Sequence, residues 1–168
     1  MPKGLKETSS IIAIGAEVIE SAANTFTAQR VDLQLNPLDN EVFVVYAVDL
    51  DCLEPNLVPG TDTQIRSSIS TTLRTDVGSL ADSNVLAVNR IAFESAGGEV
   101  TRGSFSSDSA PGTQLDYLAI ISTNDFFVNI QGSNNALARS ATCRVYGVRA
   151  KADASIYAAL VQSELLSA

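Results

Sequence analysis

Apolar and polar residues alternate along most of this chain, in short runs separated by turn signals. The run RVDLQL at residues 30–35 alternates strictly, which is typical of a strand with one buried face. EVFVVYAVDLDCL at 41–53 is apolar on both faces through its middle, which indicates a strand at the centre of a sheet. TQIRSSISTTLRT at 63–75 alternates again and predicts a strand with one face in solvent.

The carboxyl half continues the same pattern. VLAVNRIAF and EVTRGSF flank the pair Gly97-Gly98, which predicts a hairpin. Three more strands are predicted in LDYLAIIS, DFFVNIQ and ARSATCRVYGVRAK, the last of which covers residues 138–151. SFSSDSAPG at 104–112 carries the strongest loop signal in the chain.

The amino-terminal segments are less clear. Residues 1–10 are polar and contain Pro2 and Gly4, so they predict a flexible arm. Residues 11–22 carry apolar side chains at a spacing that a helix would also accommodate. Their β-branched content and Gly15 favour a strand, and the helical alternative stays open.

The tail differs from the rest of the chain. At 152–168, Asp153 is a candidate N-cap, and apolar residues then recur at three- and four-residue spacing, which predicts a short helix. Residues 11–151 hold about eight predicted strands with no linker between them. The sequence therefore predicts a single all-β domain, an antiparallel β-sandwich or single jelly roll of about eight strands with a C-terminal helix.

Composition suggests a protein that works through its surface. The chain is 45% hydrophobic and only 18% charged. This composition predicts either an apolar surface that serves a partner or a well-filled sandwich with uncharged polar residues outside. A net charge of -8 argues against strong nucleic-acid binding by the folded body. No apolar run reaches the roughly 18 residues of a transmembrane helix, so none is expected.

The charges are unevenly distributed along the chain. Residues 31–62 contain acids and no base, whereas residues 139–151 contain bases and no acid. Opposite charges of this kind either meet between neighbouring copies or pair on neighbouring strands of one molecule, and the sequence leaves both open. As subunit contacts we expect an acidic pole and a basic pole: Asp39, Glu41, Asp49, Asp51 and Glu54, and Arg139, Arg144, Arg149 and Lys151.

Catalytic and metal-binding signals are weak. The chain has no histidine, no Gly-x-Ser-x-Gly elbow and no phosphate-binding glycine motif, so we expect no enzyme and no cofactor. Asp116 and Glu94 are formal candidates for a carboxylate pair. Asp49, Asp51 and Glu54 are a weak calcium candidate, and no metal is expected. Two cysteines, Cys52 and Cys143, are expected to be buried and free, with a disulfide as the alternative.

The layout of a short arm, about eight strands and a strand-rich carboxyl half resembles the single jelly-roll coat proteins of icosahedral viruses. The resemblance implies a capsid subunit of the virion, made in a host cytoplasm, that assembles in many copies through its sandwich edges and terminal segments. The arm carries only Lys3 and Lys6, so it departs from a strongly basic arm. An arm with so few basic residues would suit a shell that surrounds a membrane or one that is built with a second subunit.

We therefore expect a self-assembling structural homo-oligomer. The alternative is a non-catalytic β-sandwich binding module, such as a carbohydrate- or receptor-binding domain or an appendage subunit. An exposed aromatic face would be the mark of such a module, but the chain has only four Tyr, six Phe and no Trp.

Overall fold

Ten antiparallel strands and one helix make up the computed structural model, which describes residues 2–107, 112 and 115–167. The strands are β1 (Leu5–Glu7), β2 (Ile12–Ile19), β3 (Thr27–Asp32), β4 (Glu41–Cys52), β5 (Thr63–Ser70), β6 (Val85–Ala96), β7 (Glu99–Ser106), β8 (Ala119–Ile121), β9 (Asp125–Ser133) and β10 (Ser140–Ala152). Pro37–Asp39 forms a 3-10 turn, and α1 (Ala154–Leu166) follows β10. Of the predicted loop at 104–112, the first three residues belong to β7 and residues 108–111 lie outside the described part.

The strands form two sheets whose order defines the fold. Sheet A runs β2-β10-β4-β8, with β1 also paired to β10 beyond the end of β2, and sheet B runs β3-β9-β5-β6-β7. Without β1 and β7, eight strands remain in two four-stranded sheets, and each sheet draws strands from both halves of the chain. This is the connectivity of a jelly roll. The predicted fold class is confirmed, with ten strands instead of about eight.

Several predicted elements agree with the structure. Residues 12–19 form a strand, so the strand interpretation of the ambiguous segment is confirmed. β4 lies inside sheet A between β10 and β8, as its apolar sequence predicts. Gly97 and Gly98 both adopt positive φ at the tip of the β6–β7 hairpin, a conformation that glycine tolerates best. The arm predicted at residues 1–10 differs from these elements, because its residues 5–7 form β1, which pairs with the end of β10.

The core lies between the two sheets. Its largest fully buried side chains include Phe43 from sheet A and Ile65 and Phe126 from sheet B. Aliphatic residues of β2, β4, β5, β6, β8, β9 and β10 and of the segment after β3 also belong to this cluster. Two sheets that face each other across such a layer bury one side of each central strand, which accounts for the alternating pattern in the sequence, whereas the edge strand β7 is exposed throughout.

β4 contains an extra residue opposite β10. The pairing moves from Tyr146↔Ala47 to Gly147↔Val45, so Tyr46 forms a bulge. On the carboxyl-terminal side of the bulge, Val48 and Leu50 point into the core. On its amino-terminal side, Phe43 and Val45 do so. The bulge therefore changes which residues of β4 face outward.

Helix α1 covers the apolar patch that the bulge exposes. Val42 and Val44 of β4 and Val148 of β10 form a second buried cluster, against which Ile156, Tyr157 and Leu160 of the helix pack. No helix in the described residues is long and apolar enough to cross a membrane.

A single carboxylate anchors the far end of the helix. Glu164 is buried and accepts hydrogen bonds from the backbone N–H groups of Ser122 and Thr123, at 3.0 and 2.8 Å, and from the Ser122 hydroxyl at 2.9 Å. These donors belong to the turn between β8 and β9. The helix is therefore attached to the sandwich by both apolar packing and charge-assisted hydrogen bonds.

The predicted exposed face of β5 is exposed at Arg66 but not at its two serines. The outward residues Ser68 and Ser70 of β5 are buried, because the segment 71–84 folds back over sheet B. Ser68 donates to the Val77 carbonyl, and the Asn129 amide donates to both serine hydroxyls. Buried polar groups keep such internal partners, so polarity in the sequence did not indicate exposure here.

We expect Gly147→Ala to destabilise the fold by about 1–3 kcal/mol, since overpacking a core has that cost. A Cβ at Gly147 would meet the Val44 carbonyl and lie 2.7 Å from the Phe43 ring. Gly103→Ala on β7 is the matched control, because nothing lies within 4 Å of its Cβ position. Denaturant unfolding of both variants measures the difference, and equal stability would contradict this account of the bulge.

Candidate subunit interface

The predicted acidic and basic poles lie side by side on one molecule. Asp49 and Asp51 belong to β4, Arg144 and Arg149 belong to β10, and these two strands pair along most of their length. The structure thus brings the two poles together within sheet A. This is the intramolecular alternative that the sequence left open.

Two residues of the basic pole form ion pairs with residues of the acidic pole. Lys151 lies 2.8 Å from Asp39, and Arg149 lies 3.3 Å from Glu41. The hydrogen bond and positive charge of Lys151 lower the pKa of Asp39. Arg149 also donates to the carbonyls of Leu33 and Gln34, so it ties β10 to the chain that follows β3. These residues therefore stabilise the subunit through contacts within one molecule.

Arg139 and Glu54 join two loops at the other end of β10. Arg139 donates from Nε to the Glu54 carbonyl at 2.8 Å, while the Glu54 carboxylate lies 3.1 Å from Arg102 of β7. Glu20, missed by the sequence analysis, accepts from the N–H groups of Arg139 and Gly132. The signal available in the sequence was a glutamate that directly follows the apolar run of β2.

Three of the predicted residues keep unpaired charges. Arg144 and Asp49 are direct partners across β10 and β4, yet no ion pair within 4 Å joins them in the described structure, and Asp51 is likewise exposed. With Thr142 and Cys143 they border a shallow cavity of about 240 Å³. This open patch is the part of the predicted poles that another molecule can reach.

The calcium candidate does not come together. Asp49 and Asp51 share the outer face of β4, but Glu54 is engaged by Arg102 beyond its end. Among residues 2–107, 112 and 115–167, no group of three or more Asp, Glu or Cys side chains is placed to hold a metal ion.

β2 adds an edge that the sequence analysis did not identify. It pairs with β10 on one side, and no described strand pairs with its other side. The Glu20 N–H donates to the Arg139 carbonyl, so by strand alternation the N–H groups of Ala13, Gly15 and Glu17 point away from β10. Whether a strand lies at an edge is decided by pairing, which the hydrophobic pattern does not report.

The candidate catalytic acids do not converge. Glu94 lies on β6 in sheet B, whereas Asp116 precedes β8 in sheet A. Burial, the Glu7 charge and the Asp116 charge raise the pKa of Tyr46.

Both cysteines are free and buried on the inner face of sheet A, as predicted. Burial raises the pKa of each thiol to about 11. The Cys52 sulfur also lies 2.8 Å from the Ser67 hydroxyl. Two protonated, covered thiols behave as small core residues.

Comparison with known proteins leaves the family open. No family model and no curated protein matches the chain. A solved structure titled Desmodium yellow mottle tymovirus is similar at 11% identity and a TM-score of 0.36, over 92% of this chain and 96% of that chain. A likeness this low shows no shared family, so the function proposed below rests on the geometry of this chain.

We expect Arg149→Glu to lower the stability of the subunit by about 1–3 kcal/mol, because it removes the donors to the Leu33 and Gln34 carbonyls and faces Glu41 with a second carboxylate. Arg144→Gln is the control on the same strand, because Arg144 is exposed and forms no ion pair in the described structure, and its effect should stay within about 0.5 kcal/mol. Thermal unfolding measures both. Equal stability of the two variants would contradict the assigned roles.

We expect both thiols of the native chain to react slowly with Ellman's reagent at about pH 8, since a thiol of pKa about 11 is then almost entirely protonated. Labelling should accelerate as the pH rises toward that value. In guanidinium chloride both cysteines should react at once, which provides the control. Rapid labelling of the folded chain would show that the thiols are accessible.

Proposed function

We propose that this chain is a structural subunit that assembles in many copies, as the shell protein of a virus capsid. The open edge of β2 is the observation that carries the proposal. An unpaired edge strand presents a row of N–H and C=O groups to another chain, and soluble monomers usually blunt such edges with charge, proline or short length.

β2 lacks most of those protections. It is eight residues long, contains no proline, and Glu17 is its one charged residue. The other edges differ: β8 has three residues, β3 carries Arg30 paired with Asp125, and β7 carries Arg102. A second copy or a sister subunit that covers β2 would satisfy its free backbone groups.

Apolar and charged residues beside the edge support the same role. Ile11 and Ile19 are 68% and 59% exposed, an unusual position for large aliphatic side chains beside an open edge. The open patch of Asp49, Asp51 and Arg144 lies on the same outer face of sheet A. Unpaired charges of both signs would orient an approaching copy and select its register.

A jelly roll suits this purpose, since viral shell proteins and lectins share that architecture. The net charge of -8 and an arm with only Lys3 and Lys6 disfavour direct packaging of nucleic acid. The proposal therefore includes a shell that encloses a membrane or contains a second subunit, with the virion as the place of function.

The double variant Ile11→Lys with Ile19→Lys should stay monomeric under conditions in which the natural chain forms large assemblies. Lysines beside the edge replace apolar contact with charge repulsion between copies. Light scattering after size exclusion, followed by negative-stain microscopy, measures the outcome, and circular dichroism checks the fold.

Leu38→Lys is the matched control, because Leu38 is 93% exposed on the 3-10 turn, away from β2. It should assemble like the natural chain. The proposal fails if the natural chain remains monomeric at high concentration in low and high salt, with and without calcium. It also fails if the β2 variant assembles normally.

A further inference from the structure

A cavity on the outer face of sheet B is separate from the proposed interface on sheet A. Its volume is about 330 Å³, at the lower end of the range for small-molecule sites. The segment 77–80 forms one wall, and β5, β6 and β7 form the floor. Val77, Leu80, Val88 and Phe105 give it a mainly apolar lining.

Two arginines lie next to each other at this cavity. Arg66 of β5 and Arg90 of β6 are direct cross-strand partners, and both line it. Side chains in that relation start from Cβ atoms only about 5 Å apart, so two positive charges there repel each other. Phe105 of β7 is the cross-strand partner of Arg90, which makes a row of two guanidinium groups and one aromatic ring.

Within the described residues, these two arginines have none of the acidic partners that most others have. Arg30, Arg74, Arg102 and Arg149 each form an ion pair. Arg66 donates only to the Gly78 carbonyl, at 3.3 Å, and Arg90 has no hydrogen bond or ion pair within the part of the chain that is described. The chain has 19 acidic and 11 basic residues, so partners are plentiful, and leaving adjacent guanidinium groups unneutralised destabilises the free protein.

The wall of the cavity is held in place before any ligand arrives. Arg74 is largely buried and binds Asp76 at 2.7 Å, Asp82 at 3.4 Å and the Asn84 side chain at 2.7 Å. The Val77 side chain is 3% exposed, and its carbonyl accepts from Ser68 beneath it. A preformed wall reduces the entropy that a ligand would otherwise lose in ordering it.

We propose that this cavity binds a small organic anion, with a carboxylate or phosphate group held by Arg66 and Arg90 and an apolar body packed against Leu80, Val88 and Phe105. Guanidinium groups hold such oxyanions through paired, charge-assisted hydrogen bonds. The anion would also remove the repulsion between the arginines. This site goes beyond the proposed shell function and does not depend on assembly.

Titration calorimetry with octanoate and octyl phosphate tests the site, and the comparison of the two distinguishes a carboxylate from a phosphate head group. We expect at least one to bind, and acetate, inorganic phosphate and octanol to bind much more weakly, since each supplies only half of the required chemistry. In the double variant Arg66→Gln with Arg90→Gln, affinity should fall by about tenfold or more.

Arg144→Gln is the matched control, because Arg144 is also an exposed, unpaired arginine but lies on sheet A. It should leave the affinity unchanged. Without ligand, the Arg66/Arg90 variant should melt at or above the temperature of the natural chain, whereas a structural role for the pair would lower it. Failure of both octyl anions to bind, unchanged affinity in the variant, or equal affinity for acetate and octanoate would overturn the proposal.

Discussion

The pairing of β4 with β10 is the constraint on which the rest of this structure depends. These two strands occupy the middle of sheet A, and their register slips by one residue at Tyr46. At Gly147, a side chain would clash with the Phe43 ring and the Val44 carbonyl. The slip keeps the core face of both strands apolar while it turns Val42 and Val44 outward, where only a covering element can shield them.

In the proposed shell subunit, that division of sheet A separates the residues that stabilise the fold from those available for contact with another copy. One end of the outer face is sealed by α1, which Glu164 fastens to the turn after β8. The other end carries Asp49, Asp51 and Arg144, on the outer face that continues across β10 onto β2. The charge pairs Arg149–Glu41 and Lys151–Asp39 contribute to stability, since they hold β10 against its own neighbours. The unpaired charges are available for contact with another copy.

Sheet B shows how polar residues can mislead a sequence-based prediction. Ser68 and Ser70 alternate with isoleucines as exposed residues would, but the segment 71–84 buries them. The same segment forms a wall of the cavity at Arg66 and Arg90. Folding back a long loop thus produces both a buried polar layer and a concave surface, and neither follows from the spacing of residues within β5.

The sequence by itself determined the elements: strand periodicity, turn residues and the apolar centre of β4 follow from local chemistry, because a strand with one buried face must alternate. The sequence also excluded any chemistry that needs a histidine of this chain, because the chain contains none. The tertiary structure alone decided which charges meet, which strand lies at an edge and which serines are covered. Those outcomes depend on the pairing of segments far apart in the chain, as with Arg149 and Glu41, and local periodicity contains no information about that pairing.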